Sequence, residues 1–243
     1  MKTNLSKMYG YHVANLQEIE LALGHTFRLA KDSISSKDPQ QSLRSLLRLY
    51  SFLIGAWAET RLNKLLHEEF GFCEEKRAQI ESQNSQLDRW KLTIDLAFRK
   101  HHKVPKAKLN AVTLGVDHSA RRDALHETLE NELRIIIEIR NKLAHGQWVY
   151  PLNNECTKVE NDKYLLINKE NLQSLRFKFS LINNLADAIN DLVVSPVAFE
   201  RDFEEHFRKL NQVRINLQTK DYKQYESALI SKREKARKAL KKQ

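Results

Sequence analysis

Apolar residues recur along most of this chain at three- and four-residue intervals, the spacing that lines one face of an α-helix. Leu16, Ile19 and Leu23 mark a first helix. A second starts near Pro39 and carries Leu43, Leu46, Leu47, Tyr50, Leu53, Ile54, Trp57, Leu62, Leu65 and Leu66 before Gly71 breaks it. Its length of about 30 residues predicts the backbone of a bundle. A third runs through Ile80, Leu87, Trp90, Ile94 and Phe98 to His101-His102, and Pro105 and Gly115 punctuate the connection that follows. A fourth begins near Ser119 and ends at Ala144. Between Trp148 and Ile167 the pattern changes. There Val159 and Tyr164-Leu165-Leu166-Ile167 flank Asn161-Asp162, which predicts a short β-hairpin or irregular insert. Asn168 is placed to cap a last strongly amphipathic helix, bearing Leu172, Leu175, Phe179, Ile182, Leu185, Ile189 and Leu192, which Pro196 ends. The fold class is therefore all-α. An N-terminal helical segment (1–38) precedes a helical bundle (39–195), and a basic helical extension (196–243) follows.

Composition narrows the functional classes. Six Gly and four Pro in 243 residues leave little turn chemistry and predict few strands. Cys73 and Cys156 stand far apart with no second thiol near either, so neither a disulfide framework nor a cysteine-based zinc site is available, and a reducing compartment fits. The N-terminus leads into no apolar run, and no stretch approaches the roughly 18 apolar residues of a membrane span. A soluble, cytoplasmic protein without membrane association is expected. Glycine-rich phosphate loops, serine nucleophile elbows and paired-carboxylate motifs are missing, so no cofactor is predicted.

Charge points to a partner. The net charge of +10 and pI near 9.5 favour nucleic acid, because a surplus of Lys and Arg concentrates polyanions and supplies phosphate contacts. From Lys220 onward there are nine basic residues against three acidic ones, so more than half of the excess sits in the last tenth of the chain. Lys232, Arg233, Lys235, Arg237 and Lys238 are the candidate phosphate contacts of this tail, which has few apolar anchors and reads as a frayed helix or basic arm. Solvation of a helix face is the competing explanation.

Candidate chemistry concentrates in Arg140-Asn141-Lys142-Leu143-Ala144-His145-Gly146. Leu133, Ile136, Ile137, Arg140 and Ala144 share one helical face, so Arg140 stands in an apolar stripe and must meet a carboxylate, a phosphate or a solvated cleft. Gly146 suits a left-handed helix end, which places His145 at the cap, and Asn141 lies four residues before it on the same face. A histidine, whose ordinary pKa is roughly 6.5, can move a proton to or from a ribose hydroxyl, and an arginine can hold a phosphate. That pairing suits RNA cleavage without metal, with the 2′-hydroxyl as nucleophile and DNA left uncut.

The same residues, Arg140-Asn141-Lys142-Leu143-Ala144-His145, resemble the Arg-Asn-x-x-x-His signature of the HEPN superfamily of prokaryotic helical-bundle proteins. The resemblance covers roughly residues 40 to 195. It implies Arg140 and His145 as the catalytic pair, Asn141 as the polar residue after the arginine, and a bundle of four or more helices. It also implies metal-independent endoribonuclease activity at a site completed by homodimerisation, in a toxin or antiviral defence role, with an antitoxin or regulatory protein as a possible partner. Non-catalytic members that bind RNA or another protein are the alternative that it leaves open.

Arg and His at similar spacing recur in Arg61/His67, Arg121/His126 and Arg201/His206, but only the pair at 140 and 145 adds Asn at the second position, an apolar helix behind and a Gly after. Glu59, among apolar neighbours in the second helix, is either the carboxylate that positions Arg140 or else a partner of Arg61 or a solvent-facing residue. Lys142, within the motif, is a candidate nucleic-acid contact, and Trp148 and Tyr150 either stack on bases or serve core and dimer contacts. His101-His102 have no acidic or Cys neighbours at ligand spacing and read as surface residues rather than metal ligands.

Overall fold

The computed structural model describes residues 4–36 and 40–240. Pro39, the expected start of the second helix, and Lys241 and Lys242 of the basic tail lie outside them. Among the described residues there is no strand, and the regular structure is helical: α1 (Asn4–Ser36), α2 (Gln40–Leu66), α3 (Glu74–Glu81), α4 (Gln86–His102), a single turn α5 (Ala111–Leu114), α6 (Val116–Thr128), α7 (Arg134–Ala144), α8 (Asn161–Lys169), α9 (Leu172–Val194), α10 (Pro196–Thr219) and α11 (Tyr222–Leu240). None of these helices is long and apolar enough to cross a membrane. A π-helical turn, Leu129–Leu133, joins α6 to α7 without a break, since Leu129 and Arg134 at its edges keep right-handed helical backbone angles.

The sequence's three segments share one hydrophobic core. Leu16, Leu23, Ala30 and Ile34 of α1 are buried with Trp57, Leu62 and Leu65 of α2, Trp90 and Phe98 of α4, and Leu185, Ile189 and Leu192 of α9. Phe199, Phe203, Leu210 and Val213 bring α10 into the same cluster. The described part of the basic tail forms the single helix α11, with no fully buried residue, lying against α1, where Arg233 donates to the Asp32 carbonyl and to Ser35 Oγ, both at 3.0 Å.

Several local expectations are corrected. The third helix is two, because Ser85 caps α4 by accepting from Asp88 N at 3.0 Å and so starts a new helix after the turn that follows Ser82. Tyr164-Leu165-Leu166-Ile167 lies in α8 rather than in a hairpin. Asp162 sits in the first turn of that helix, where a negative charge is favourable, and of these four residues only Ile167 is fully buried. All that remains of the expected β-pairing is a single antiparallel bridge between Leu152 and Val159. The loop it closes is organised by the Asn153 side chain, which accepts from Thr157 N and Lys158 N at 2.8 and 3.0 Å. Asn171, not Asn168, caps α9, in a reciprocal pair with Ser174. Pro196 does not so much end α9 as begin α10, where its missing N–H costs nothing.

Because Phe199 is fully buried in the shared core, Phe199→Ala is expected to cost about 3–5 kcal/mol. Chemical denaturation should show one transition for the whole protein at lower denaturant. A main transition left where it was would mean that α10 folds apart from the bundle.

Candidate active site

The end of α7 is built as its sequence suggests. His145 N bonds back to Asn141 O at 3.1 Å, Gly146 takes φ +75°, and Gln147 N returns to Lys142 O at 3.0 Å, closing the helix in a left-handed turn that a side chain at 146 would strain. Ile136 and Ile137 are buried in the main core, while Ile139 and Leu143 form a second small cluster with Ile167 and the half-buried Trp148. The two clusters take up most of the α7 circumference. Only a sector carrying Glu138, Asn141 and His145 faces an open hollow of about 710 Å³, lined also by Lys142, Gln147 and Asn153.

Arg140 stands where α7 crosses α2. Its aliphatic stem lies against Gly55 so closely that a Cβ there would overlap the Arg140 Cβ and come within 2.7 Å of its Cγ. One terminal nitrogen pairs with Glu59, one turn further along α2, and the other donates to Asn141 Oδ1 at 3.0 Å. Nε is buried without a partner. Burial holds the guanidinium below the usual arginine value, which still leaves it a cation at neutral pH. Of the two readings of Glu59, the structure selects the partner of Arg140. Arg61 pairs instead with Asp187, and Glu138, the other carboxylate near the motif, pairs with Lys163.

Arg140 and His145 do not converge within one chain. Five residues of helix turn the two side chains roughly 140° apart, whereas Asn141 and His145, four residues apart, differ by about 40°. Arg140 is not part of the lining of the hollow that Asn141 and His145 face. Asn141 is the link, bonded to the guanidinium on one side and exposed to the hollow on the other.

The remaining candidates beside the motif have structural occupations. Lys142 is half-buried and bonds to Leu152 O and, at 2.5 Å, to Glu160, tying the 151–160 loop to α7. Trp148 donates from Nε1 to Leu143 O at 2.9 Å and packs on the small cluster, as a core aromatic does. Tyr150 stacks on Tyr164 with centroids 5.7 Å apart. Lys232, Lys235, Arg237 and Lys238 are exposed on α11, and Arg233 is held by α1. The rival Arg/His pairs are each engaged elsewhere: His126 with Asp95, Arg121 with Glu200, His206 with Asp191 and Arg201 with its neighbour Asp202.

Arg48 is the residue that sequence reasoning missed. Only 3% exposed, it donates to Trp148 O at 3.2 Å, Ile167 O at 2.5 Å and Asn168 Oδ1 at 2.9 Å, fastening the segment after the motif onto α2. Ser51 Oγ donates to Glu170 at 3.2 Å on the same face. The signal was present: Arg48, Ser51, Gly55 and Glu59 follow one another at intervals of three, four and four residues. This is a polar and small stripe on one face of an otherwise apolar helix.

Comparisons with protein-family models, with curated proteins and with solved structures returned no match for this chain.

Two outcomes follow for this region. Alanine normally stabilises a helix relative to glycine by about 1 kcal/mol, but the Arg140 stem cannot swing aside. Gly55→Ala is therefore expected to lose up to about 2 kcal/mol on balance, read by denaturant midpoint. Glu160 is held below the usual carboxylate range by hydrogen bonds from Lys142 and then Lys163. A lowered folded pKa contributes stability that is complete above the unfolded value near 4.5 and is lost as pH falls through the folded one. Amide protection factors in 151–160 should accordingly fall below about pH 4.5 before those of the rest of the bundle. Uniform protection down to global unfolding would contradict it.

Proposed function

We propose that this chain is a HEPN-type, metal-independent endoribonuclease that works as a homodimer, in the manner of a toxin or antiviral defence effector. The observation that carries this reading is the end of α7, where Asn141 and His145 face an open hollow and Asn141 accepts a hydrogen bond from the guanidinium of Arg140. In this scheme His145 moves a proton at the 2′-hydroxyl or the departing 5′-oxygen. Arg140 binds the scissile phosphate and stabilises the extra negative charge that develops as the 2′-oxygen attacks. Asn141 orients the arginine, and Glu59 positions it from α2.

The angular separation of Arg140 and His145 on one helix supports the dimer. Two α7 ends facing each other would bring the arginine of one chain toward the histidine of the other, around a single phosphate. Basic residues of α11 would add sequence-independent affinity for RNA, and an antitoxin or regulator would act by covering the hollow.

A second reading is favoured by the way charge is already satisfied at the site. Arg140 is paired by Glu59, and Lys142 and Lys163 both by Glu160, as in a helical module that binds RNA or a protein without cutting. Incubation with total cellular RNA in excess EDTA separates the two. The enzyme reading expects fragments ending in 2′,3′-cyclic phosphate from the parent, and rates reduced about 100-fold or more in folded Arg140→Ala and His145→Ala. Persistent cleavage by both variants would remove these residues from the mechanism. Intact RNA from a dimeric parent that retains RNA would leave the binding module.

A further inference from the structure

His101 and His102 end α4, and the sequence gives them no ligand-type neighbour. The connection through Pro105, α5 and Gly115 turns the chain back so that His118, in the first turn of α6, lies directly against them. The three rings are in mutual contact, with centroids 4.7–5.3 Å apart, and their side chains are half-buried rather than on the open surface. His118 Nδ1 and His102 Nε2 approach to 2.6 Å, and His101 Nδ1 is buried without any hydrogen-bond partner. One nitrogen from each ring falls within 4.8 Å of the other two. On the far side of His118, Nε2 meets Glu200 of α10 at 2.8 Å, and Arg121 holds the same carboxylate at 2.7 Å.

Hydrophobic packing does not account for this arrangement. Polar ring atoms turned toward one another in a half-buried site repel as lone pairs unless a proton or a cation lies between them, and His101 Nδ1 finds neither. We propose that His101, His102 and His118 form a binding site for a divalent transition metal of the zinc class, with Glu200 orienting His118 and a water completing four-coordination. Ring nitrogens around such an ion sit at 2.0–2.1 Å from it, so about 3.3 Å from each other. The observed contacts bracket that spacing, and small side-chain rotations reach it. A ligating histidine whose other nitrogen donates to a carboxylate is the usual way that a tautomer and ring plane are fixed, and Arg121 fixes the carboxylate in turn. Burial also holds His101 and His102 below the ordinary imidazole range, which keeps them in the neutral form that binds metal.

The position defines the role. His118 and His145 lie near opposite ends of the continuous run from α6 through the π turn to α7, 27 residues and therefore about 40 Å apart. The ion would act as a clamp joining α4, α6 and α10, not as a participant at the end of α7. Its presence is independent of the ribonuclease reading, and its tests read metal rather than RNA.

Full-length protein stripped with EDTA, exchanged into metal-free buffer and titrated calorimetrically with Zn²⁺ is expected to bind one ion per chain and to melt at higher temperature once loaded. His102→Ala and His118→Ala should abolish stoichiometric binding. Glu200→Gln should keep the site but weaken it about 10–100-fold, the cost of losing an orienting partner. Failure of the parent to take up one equivalent, or uptake unchanged in folded His118→Ala, overturns the proposal. Where an alanine variant does not fold, Co²⁺ substitution in the parent decides: intense visible bands of four-coordinate cobalt support the site, and the pale spectrum of the hydrated ion rejects it.

Discussion

Helices α2 and α7 touch at a glycine, and the consequences of that contact organise the candidate site. Gly55 leaves room for the aliphatic stem of Arg140 to lie against the α2 backbone, which carries its guanidinium out to the edge of the core beside Glu59. A larger residue at 55 would push the arginine away. The charge is therefore kept half-buried, paired and oriented, yet close to solvent. Such a placement costs desolvation and returns geometric definition, a trade that is unfavourable for stability alone and useful where an anion has to be met.

The same face of α2 carries the second constraint. Arg48 and Ser51 lie above Gly55 on the stripe that ends in Glu59, and their bonds reach the Trp148 carbonyl, the end of α8 and Glu170. Residues 145–160 form little regular structure of their own before α8, and the three donations of the buried Arg48 guanidinium help hold the segment to the bundle. One helix thus fixes both the arginine of the motif and the wall of the hollow beside the histidine. The geometry at His145 depends on residues roughly 100 positions earlier in the chain.

At the other end of the α6–α7 run, the half-buried imidazole cluster joins α4 to α6 and, through Glu200, to α10. The two polar centres flank a long apolar middle, in which the π turn takes up an extra residue while Leu125, Leu129 and Leu133 stay buried.

Periodicity made the helical class legible, along with the apolar stripes of α2, α7 and α9 and the Arg-Asn-x-x-x-His segment with its terminal glycine. All of these rest on interactions within about one turn of the chain, which sequence records directly. The 164–167 run was misread because four consecutive apolar residues suit a strand or a helix equally, and an acidic residue in the first turn with a core contact at Ile167 alone tipped the balance. Which carboxylate meets Arg140, what Arg48 does, and that His118 joins His101 and His102 were decided only by tertiary structure. Each depends on a side chain finding a partner 16 to 120 residues away. The sequence determined what each helix had to bury; the packing of one helix on another determined which polar groups were left to meet.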